Sequence, residues 1–437
     1  MQRAVVLGGS FAGLLAARVL SDFADEVVIV EPDALDTGST GPGAPHRQQL
    51  HALLAMGHFQ LERWFPGIIA ELAEQGARVG RGQAVQFYVD GRLRPAIDEL
   101  EMLGASRPFI ESAVRRRTQR LPNVRFAAGR GQGLLVRGGR VRGVRYVPDG
   151  QETATDLDAD LVADAMGRSS RLSTWLEQEG WPVPPLERMR VDLGYATASF
   201  DRGAELPETV IAHSAPGPES SYQPTICEPG ALAAVEGGRW SVVLAGYADY
   251  RPSRDPQEFL VRMRRCVAPL REVAEHCALQ SEVVPFHFRE SQRRRFGGMS
   301  RFPGGLVVLG DAMASVNPVY GQGLTLAALQ ASALASHLRS GAAPHDPARG
   351  YFRRAAAFVD AAWDVSATAD LAQPHVTGPY PPGYPVLRWI GDRIVWASLR
   401  DAEVNRAFMD VVQMRKPPRA LTRPRVLLQA ARALITR

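Results

Sequence analysis

Lysine is almost absent from this chain: of 51 basic residues only Lys416 is a lysine, and the rest are arginine. The formal net charge is +5, but no basic block is interleaved with aromatics. The surplus therefore reads as a compositional bias, and runs such as 115–117 and 293–295 read as solvated faces, not nucleic-acid contacts. Cysteine is scarce. Cys227, Cys266 and Cys277 are odd in number and lack CxxC spacing, so neither a disulfide framework nor a zinc site follows, and no metal is expected. A cytoplasmic location is the expectation. No uninterrupted apolar run approaches the ~18 residues of a membrane span. The first residues place one arginine before an apolar run, but their glycine spacing and the strand that follows read as a nucleotide turn, not a signal peptide.

What remains is an ordinary globular composition, 45% apolar and 22% charged over 437 residues, which suggests two or three domains. The most informative stretch is 304–338. An apolar run at 305–309 predicts a buried strand, and Asp311 lies just beyond its end. Asn317-Pro318 and Tyr320-Gly321-Gln322-Gly323 then form a tight loop that opens an Ala/Leu-rich helix. Ligands of open α/β sheets sit at the carboxyl ends of strands, and helix N-termini offer free N–H donors and partial positive charge.

The chain start carries a second site of this kind. Residues 3–8 predict a strand, 12–22 a helix and 26–30 a second strand. The turn between, Gly8-Gly9-Ser10-Phe11-Ala12-Gly13, matches GxGxxG except for Ser10 at the middle glycine. Glu31 ends the second strand near the offset expected of an acid on a ribose. A third site follows the strand at 159–166, in the turn beginning at Gly167. Between these, a loop is expected at 36–48, then a helix from His46 to about Phe65 with Arg47 and His51 on one face. That face reads either as a cofactor or substrate contact or as a polar helix start. A hairpin at 84–97, a helix from Arg107 or Pro108 to Arg120, and strands at 123–128, 132–138 and 140–147 come next. From 185 to 300 the pattern turns to strands (191–200, 208–213, 223–228, 231–236, 239–247, 281–288) with a helix at 256–275. Tyr195, Tyr222, Phe286 and Phe288 read either as pocket wall or as ordinary core. Helices are expected at 347–371 and 385–414. The tail 419–437 fits a basic amphipathic helix on a membrane surface or a terminal helix packed on the body, and the packed helix is preferred.

The three glycine sites, 8–13, 164–171 and 310–323, resemble in order and spacing those of FAD-dependent monooxygenases of the para-hydroxybenzoate hydroxylase type. Gln49 and His51 within HRQQLHALL, Phe65-Pro66-Gly67, Arg107-Pro108, VDLGYAT at 191–197 and NPVYGQGLT at 317–325 are similar to the olefin epoxidases of polyether and other secondary-metabolite pathways. The resemblance implies an α/β protein: a glutathione-reductase-type Rossmann FAD domain, an inserted mixed, mainly antiparallel β-sheet substrate domain, and a helical C-terminal region. It divides the chain into FAD-binding parts at 1–83, 104–184 and 300–345, a substrate-domain hairpin at 84–103, a substrate domain at 185–299 and helices at 346–437.

It also implies roles. Gly8, Gly9, Ser10, Ala12 and Gly13 would hold the FAD pyrophosphate, Glu31 the adenosine ribose, Arg107 the phosphates or ribityl chain, Gln132 the adenine through its backbone, and Asp311 the ribityl or phosphate region. Pro318, Gly321, Gln322, Gly323 and Leu324 would line the isoalloxazine. Apart from the resemblance, Arg47, His51, Tyr195, Tyr222 and Phe286 stay candidate cofactor or substrate contacts, with a polar helix start or ordinary core as the other reading. Catalysis would be the flavin's, through its C4a-hydroperoxide, with O2 and a small hydrophobic substrate as reactants. Met166 stands where the hydroxylases carry an acid, so reduction by NAD(P)H directly and reduction through a separate flavin reductase both stay open. No acid–base dyad stands out near the motifs, which favours alkene epoxidation, a reaction that needs no base, over hydroxylation. A halogenase would need a catalytic lysine and a WxWxIP motif, and neither is present. An FAD-dependent prenyl-chain reductase, a redox-neutral flavin-dependent cyclase and a non-catalytic FAD-binding protein remain alternatives.

Overall fold

Four strands, Arg3–Leu7, Glu26–Glu31, Leu161–Asp164 and Leu306–Val308, are short, Val/Leu-rich and buried along almost their whole length. That is the signature of parallel strands covered on both faces. In the computed structural model, which describes residues 1–33 and 45–435, they form one sheet in the order Leu306–Val308, Leu161–Asp164, Arg3–Leu7, Glu26–Glu31, Val124–Arg137. Every neighbouring pair among these five is parallel, and Arg140–Pro148 and Thr155–Asp158 extend the edge antiparallel. Backbone bonds from Gly8 N to Val30 O (2.9 Å), Ala165 N to Leu7 O (2.8 Å) and Leu309 N to Asp164 O (2.8 Å) tie the strand ends together. The three glycine turns therefore leave the sheet side by side. Helix Phe11–Leu20 packs on helix Gly323–Arg339, and the latter is buried over most of its circumference.

The second sheet is mixed and mainly antiparallel, in the order Ala314–Ser315, Val284–Arg294, Leu186–Asp201, Arg239–Tyr247, Gly230–Val235, Ile211–Ala215, Val85–Val89, Arg92–Leu93. Its period-two alternation separates two jobs. Trp240, Val242 and Leu244 point to a layer of helices Pro256–Arg264 and Ala268–His276, where Phe200 stacks on Phe259 at 6.4 Å. Val243, Ala245 and Tyr247, the intervening residues, face a cavity between this sheet, the first sheet and the C-terminal helices.

Several expected elements differ. Strands 123–128 and 132–138 are one strand, Val124–Arg137: its first half pairs with Glu26–Glu31 and its second half with Arg140–Pro148, with a bulge between Gly131 and Gly133. No helix runs from 46 to 65. A single turn at Pro45–Gln48 gives way to an extended stretch, because Thr197 Oγ1 takes the Leu50 N–H and Thr325 Oγ1 the Leu54 N–H, each at 3.2 Å; helix Ala55–Trp64 follows. The rest of the loop expected at 36–48 lies outside the described residues. Residues 223–228 are not a strand: the preceding loop is held by Asp90, which accepts from Gly217 N (2.7 Å), Glu219 N (2.9 Å) and Ser220 Oγ (2.5 Å). The helix at 256–275 breaks before Pro269, whose ring suits only a first turn. The helix at 385–414 breaks where Asp401 caps a new helix, Ala402–Val412, by accepting the Val404 N–H at 2.9 Å.

The final helix, Pro424–Ile435, sets Leu427, Ala430 and Leu434 against Ile394, Ala397 and Val404, and leaves Leu428 and Ile435 exposed. Among the described residues no helix is long and apolar enough to cross a membrane.

Candidate active site

The cavity measures about 1450 Å³, more than the ~300–1,000 Å³ of a typical small-ligand pocket. One end lies at the nucleotide turn, where Gly8, Ser10, Ala12, Glu31, Asp33, Arg47, Arg107, Arg130 and Gly131 line it. Helix Phe11–Leu20 begins here with no side-chain cap and no acid in its first turn, so the first N–H groups of the helix itself carry no side-chain partner. Gly13 is obligatory: a Cβ there would stand 1.8 Å from Gly8 O. Glu31 uses one oxygen for the Gly9 N–H and the other for Asp33 N (2.9 Å). Burial pushes its pKa up against those bonds. Gly9 and Gly13 shape the turn without lining the cavity, and Gln132 is exposed at the bulge, with Arg130 and Gly131 forming the wall in its place.

Behind the turn lies a cluster that the motifs do not announce. Glu111 faces Arg47 (3.3 Å), Arg107 (3.4 Å), Arg115 (3.8 Å) and the hydroxyl of Ser10 (3.3 Å). Arg47 also pairs with Asp33 at 3.3 Å, and Arg115 donates to Gly9 O at 2.5 Å. Arg107, Glu111 and Arg115 sit four apart on helix Arg107–Gln119, so their spacing was the available signal. His51 Nδ1 lies 2.8 Å from Gln49 O and Nε2 3.0 Å from Arg107 Nη1. A carbonyl only accepts and a guanidinium only donates, which fixes a neutral imidazole protonated at Nδ1. Arg47 and His51 thus meet one cluster without sharing a helix face. Burial lowers the pKa of Arg107 against the opposing charges of Glu111 and Asp311.

At the other end of the strand-end edge, Asp311 lines the cavity and accepts from Ser315 Oγ at 3.4 Å. Burial raises its pKa, and Arg107 and Ser315 oppose the shift. Asn317 Oδ1 accepts the Val319 N–H at 3.0 Å, folding the loop back, and Gly321 sits at φ +67° with no room for a Cβ beside Ala52. Helix Gly323–Arg339 then starts without a side-chain cap, and Pro318, Gly321, Gln322, Gly323 and Leu324 all line the cavity.

Beneath this loop is a second group missed in the sequence. The Oδ1 of buried Asp370 accepts from Asn317 Nδ2 (2.7 Å), Tyr320 OH (3.0 Å) and Tyr247 OH (3.1 Å). Its Oδ2 has no partner among the described residues. Burial pushes the Asp370 pKa up to about 7 despite those three donors. Tyr247 and Tyr320 both line the cavity, so an acid–base group does stand beside the loop, contrary to the reading from motifs. Nothing in the local sequence of helix Arg349–Asp370 marks it.

The opposite wall comes from the second sheet. Tyr195 and Phe286 stand 5.4 Å apart, Arg168 lies 5.2 Å over the Phe288 ring, and Tyr222 donates to Asp392 at 2.5 Å. All four aromatics line the cavity. In the middle turn the acid is Asp164. It is fully buried, binding Met166 N (3.0 Å) and Ser170 Oγ (2.5 Å), and burial pushes its pKa up to about 6.

The donor set fits FAD. Two uncapped helix N-termini open onto one cavity, and Arg47 Nε is buried with no acceptor among the described residues. A Cβ on Gly323 would meet nothing within 4 Å, which leaves space over the second N-terminus for a flat ring.

No family model matches the sequence. Protein Rv3254 of Mycobacterium tuberculosis is 31% identical over 407 residues, spanning 88% of this chain and 82% of that one. Among solved structures, p-nitrophenol 4-monooxygenase PnpA from Pseudomonas putida DLL-E4 superposes with a TM-score of 0.67 at 15% identity, covering 94% of this chain and 99% of PnpA. Flavin-dependent brominase Bmp2 gives 0.65 at 14%, covering 94% and 92%. PqsL, a probable FAD-dependent monooxygenase from Pseudomonas aeruginosa, gives 0.59 at 18%, covering 85% and 97%. At these identities the shared property is the fold.

Proposed function

The chain belongs to the family of Protein Rv3254; from the fold and the cavity we propose an FAD-dependent monooxygenase acting on a largely hydrophobic small molecule. The observation that carries the reading is the pair of uncapped helix N-termini, those of Phe11–Leu20 and Gly323–Arg339, opening onto one cavity. Arginines gather at the first and an acid, Asp311, stands near the second. FAD would lie with its pyrophosphate at Ser10, Arg47 and Arg107, its adenosine toward Glu31 and Gly131, and its ring along loop 318–324. Bound FAD would supply the electrons and the activation of O2. The protein's own work is to hold it, exclude water and orient the substrate against Tyr195, Phe286, Phe288, Val243 and Ala245.

The apolar wall supports alkene epoxidation. The Asp370–Tyr320–Tyr247 group supports a second reading, hydroxylation of an activated aromatic, because it holds a titratable proton beside the loop. Halogenation is disfavoured: Lys416 pairs with Asp410 at 2.6 Å on the surface and does not line the cavity. Reduction through a separate flavin reductase is the preferred route, since the middle turn engages its acid, Asp164, with its own Met166 N–H and Ser170 hydroxyl.

The test is FAD content of the purified protein, then incorporation of isotopically labelled O2 across a panel of polyene and aromatic metabolites, with NADPH alone and with a flavin reductase added. Retained FAD and one labelled oxygen per product are expected. Absence of flavin, or anaerobic alkene reduction in place of oxygen incorporation, overturns the proposal. Asp311→Ala is expected to lose FAD, and an unchanged flavin content would remove Asp311 from the cofactor site.

A further inference from the structure

Buried arginines in this protein come with carboxylates. Arg47 has Asp33 and Glu111, Arg107 and Arg115 share Glu111, Arg262 has Glu228, and Arg293 has Glu187 and Asp360. Arg94 is the exception among the described residues. It is 6% exposed, lines the cavity, and pairs with no acid. Its Nη1 donates to Ser398 Oγ and to Asn405 Oδ1 (3.4 Å), and its guanidinium lies 4.4 Å over the Phe408 ring. Every one of these partners is neutral. Burial pulls its pKa down only to about 10, so the group remains a cation at neutral pH.

The surroundings offer it no counter-charge. His213, also on the cavity wall, is pushed down to about 4 by burial and by the charge of Arg94, so it is neutral. Asp392 is engaged by Tyr222 at 2.5 Å and Arg388 at 3.8 Å. Yet the guanidinium is held in place. Asn405 Nδ2 donates to Pro95 O (2.7 Å) and the Ser398 hydroxyl to Val395 O (2.7 Å), which leaves both side-chain oxygens turned to Arg94. A buried charge without a partner is strongly unfavourable. A positioned one, on a cavity wall that includes Phe87, Ile211, Leu232 and Met409 beside the neutral His213, is a receptor whose anion arrives with the ligand.

We propose that Arg94 binds a carboxylate carried at one end of the otherwise hydrophobic substrate. Arg94 follows strand Arg92–Leu93, at the opposite edge of the second sheet from Ala314–Ser315. The substrate's apolar body would then lie across the sheet toward loop 318–324. Anchoring one end would select which carbon reaches the reacting position, so Arg94 would set regiochemistry as well as affinity. The assignment of the other end to an oxidation site rests on the monooxygenase reading; the anion site does not.

The experiment is calorimetric titration of the protein as purified, its flavin content measured in each sample, with matched pairs, naphthoate against naphthamide and retinoate against retinamide. Carboxylates are expected to bind at least about 30-fold tighter than their amides, the lower end of what removing one partner of a buried charge pair costs. Arg94→Met should abolish that preference and Arg94→Lys restore part of it. Carboxylates that bind no better than amides in the unaltered protein overturn the proposal, whatever the variants do. So does an Arg94→Met protein that keeps the preference. Flavin content of the same samples separates the two failures: a normal FAD load without carboxylate preference sinks the Arg94 assignment alone. An Arg94-dependent preference in protein that holds no FAD sinks the monooxygenase reading alone.

Discussion

Asp370 makes stability depend on pH in a direction opposite to that of an ordinary salt-bridged acid. Burial holds its folded pKa at about 7, against an ordinary 3.8. The fold therefore prefers the protonated carboxyl. Its contribution is fully present below the unfolded pKa and is lost as pH rises through the folded one. The difference of roughly 3 units corresponds to about 4 kcal/mol above the upper pKa. Asp370→Asn removes the titration while keeping an Oδ1 for Asn317, Tyr320 and Tyr247. Other buried acids titrate too, among them Asp164 with a pKa of about 6, so the measured quantity is the difference between variant and parent. Denaturant unfolding at about pH 5 and about pH 8 should show the variant gaining about 2.5 kcal/mol on the parent between the two. Parallel curves, or a variant that loses ground as pH rises, would refute the placement of a protonated carboxyl there.

Two further substitutions test the nucleotide end. Glu111→Gln leaves Arg47, Arg107 and Arg115 short of their shared carboxylate; a loss of about 3–5 kcal/mol in denaturant unfolding is expected, and a loss under 1 kcal/mol would mean the cluster is solvated. Gly13→Ala drives a methyl onto Gly8 O, a backbone atom that cannot swing aside; a loss of about 3 kcal/mol, the upper end of the usual overpacking cost, and of FAD is expected, read by thermal unfolding and flavin absorbance, and a protein that keeps both would show the turn can open.

Where signals were local, the sequence was legible. The parallel strands announce themselves by continuous burial, and Gly13, Glu31 and loop 318–324 by spacing along short stretches. Strand Arg239–Tyr247 was placed residue for residue because alternation is a local property. What failed was long-range. The helix read into 46–65 lost its backbone bonds to Thr197 and Thr325, residues far off in the chain. Asp370 acquires its environment from Tyr247, Asn317 and Tyr320, which no window of sequence brings together. Gln132 is exposed at a bulge that only pairing with Arg140–Pro148 creates. Glu111 is the intermediate case, visible in its four-residue spacing from two arginines once a partner for them is sought.

The satisfaction of charge along the cavity argues for a division between resident and passing ligands. At the nucleotide end every buried arginine already has a carboxylate, so protein without cofactor is still electrostatically complete apart from Arg47 Nε. At the far end Arg94 has only neutral partners among the described residues, and on the proposal above the substrate brings its anion. A ligand that binds only the folded state stabilises it by RT ln(1 + [L]/Kd), about 2.7 kcal/mol at a hundredfold excess over Kd. Neutralising a buried cation is part of that gain, and a neutral analogue of the same shape cannot supply it. On this proposal the burial of Arg94 among neutral partners is the physical source of substrate selection, because the substrate's anion supplies the counter-charge that the surrounding side chains do not.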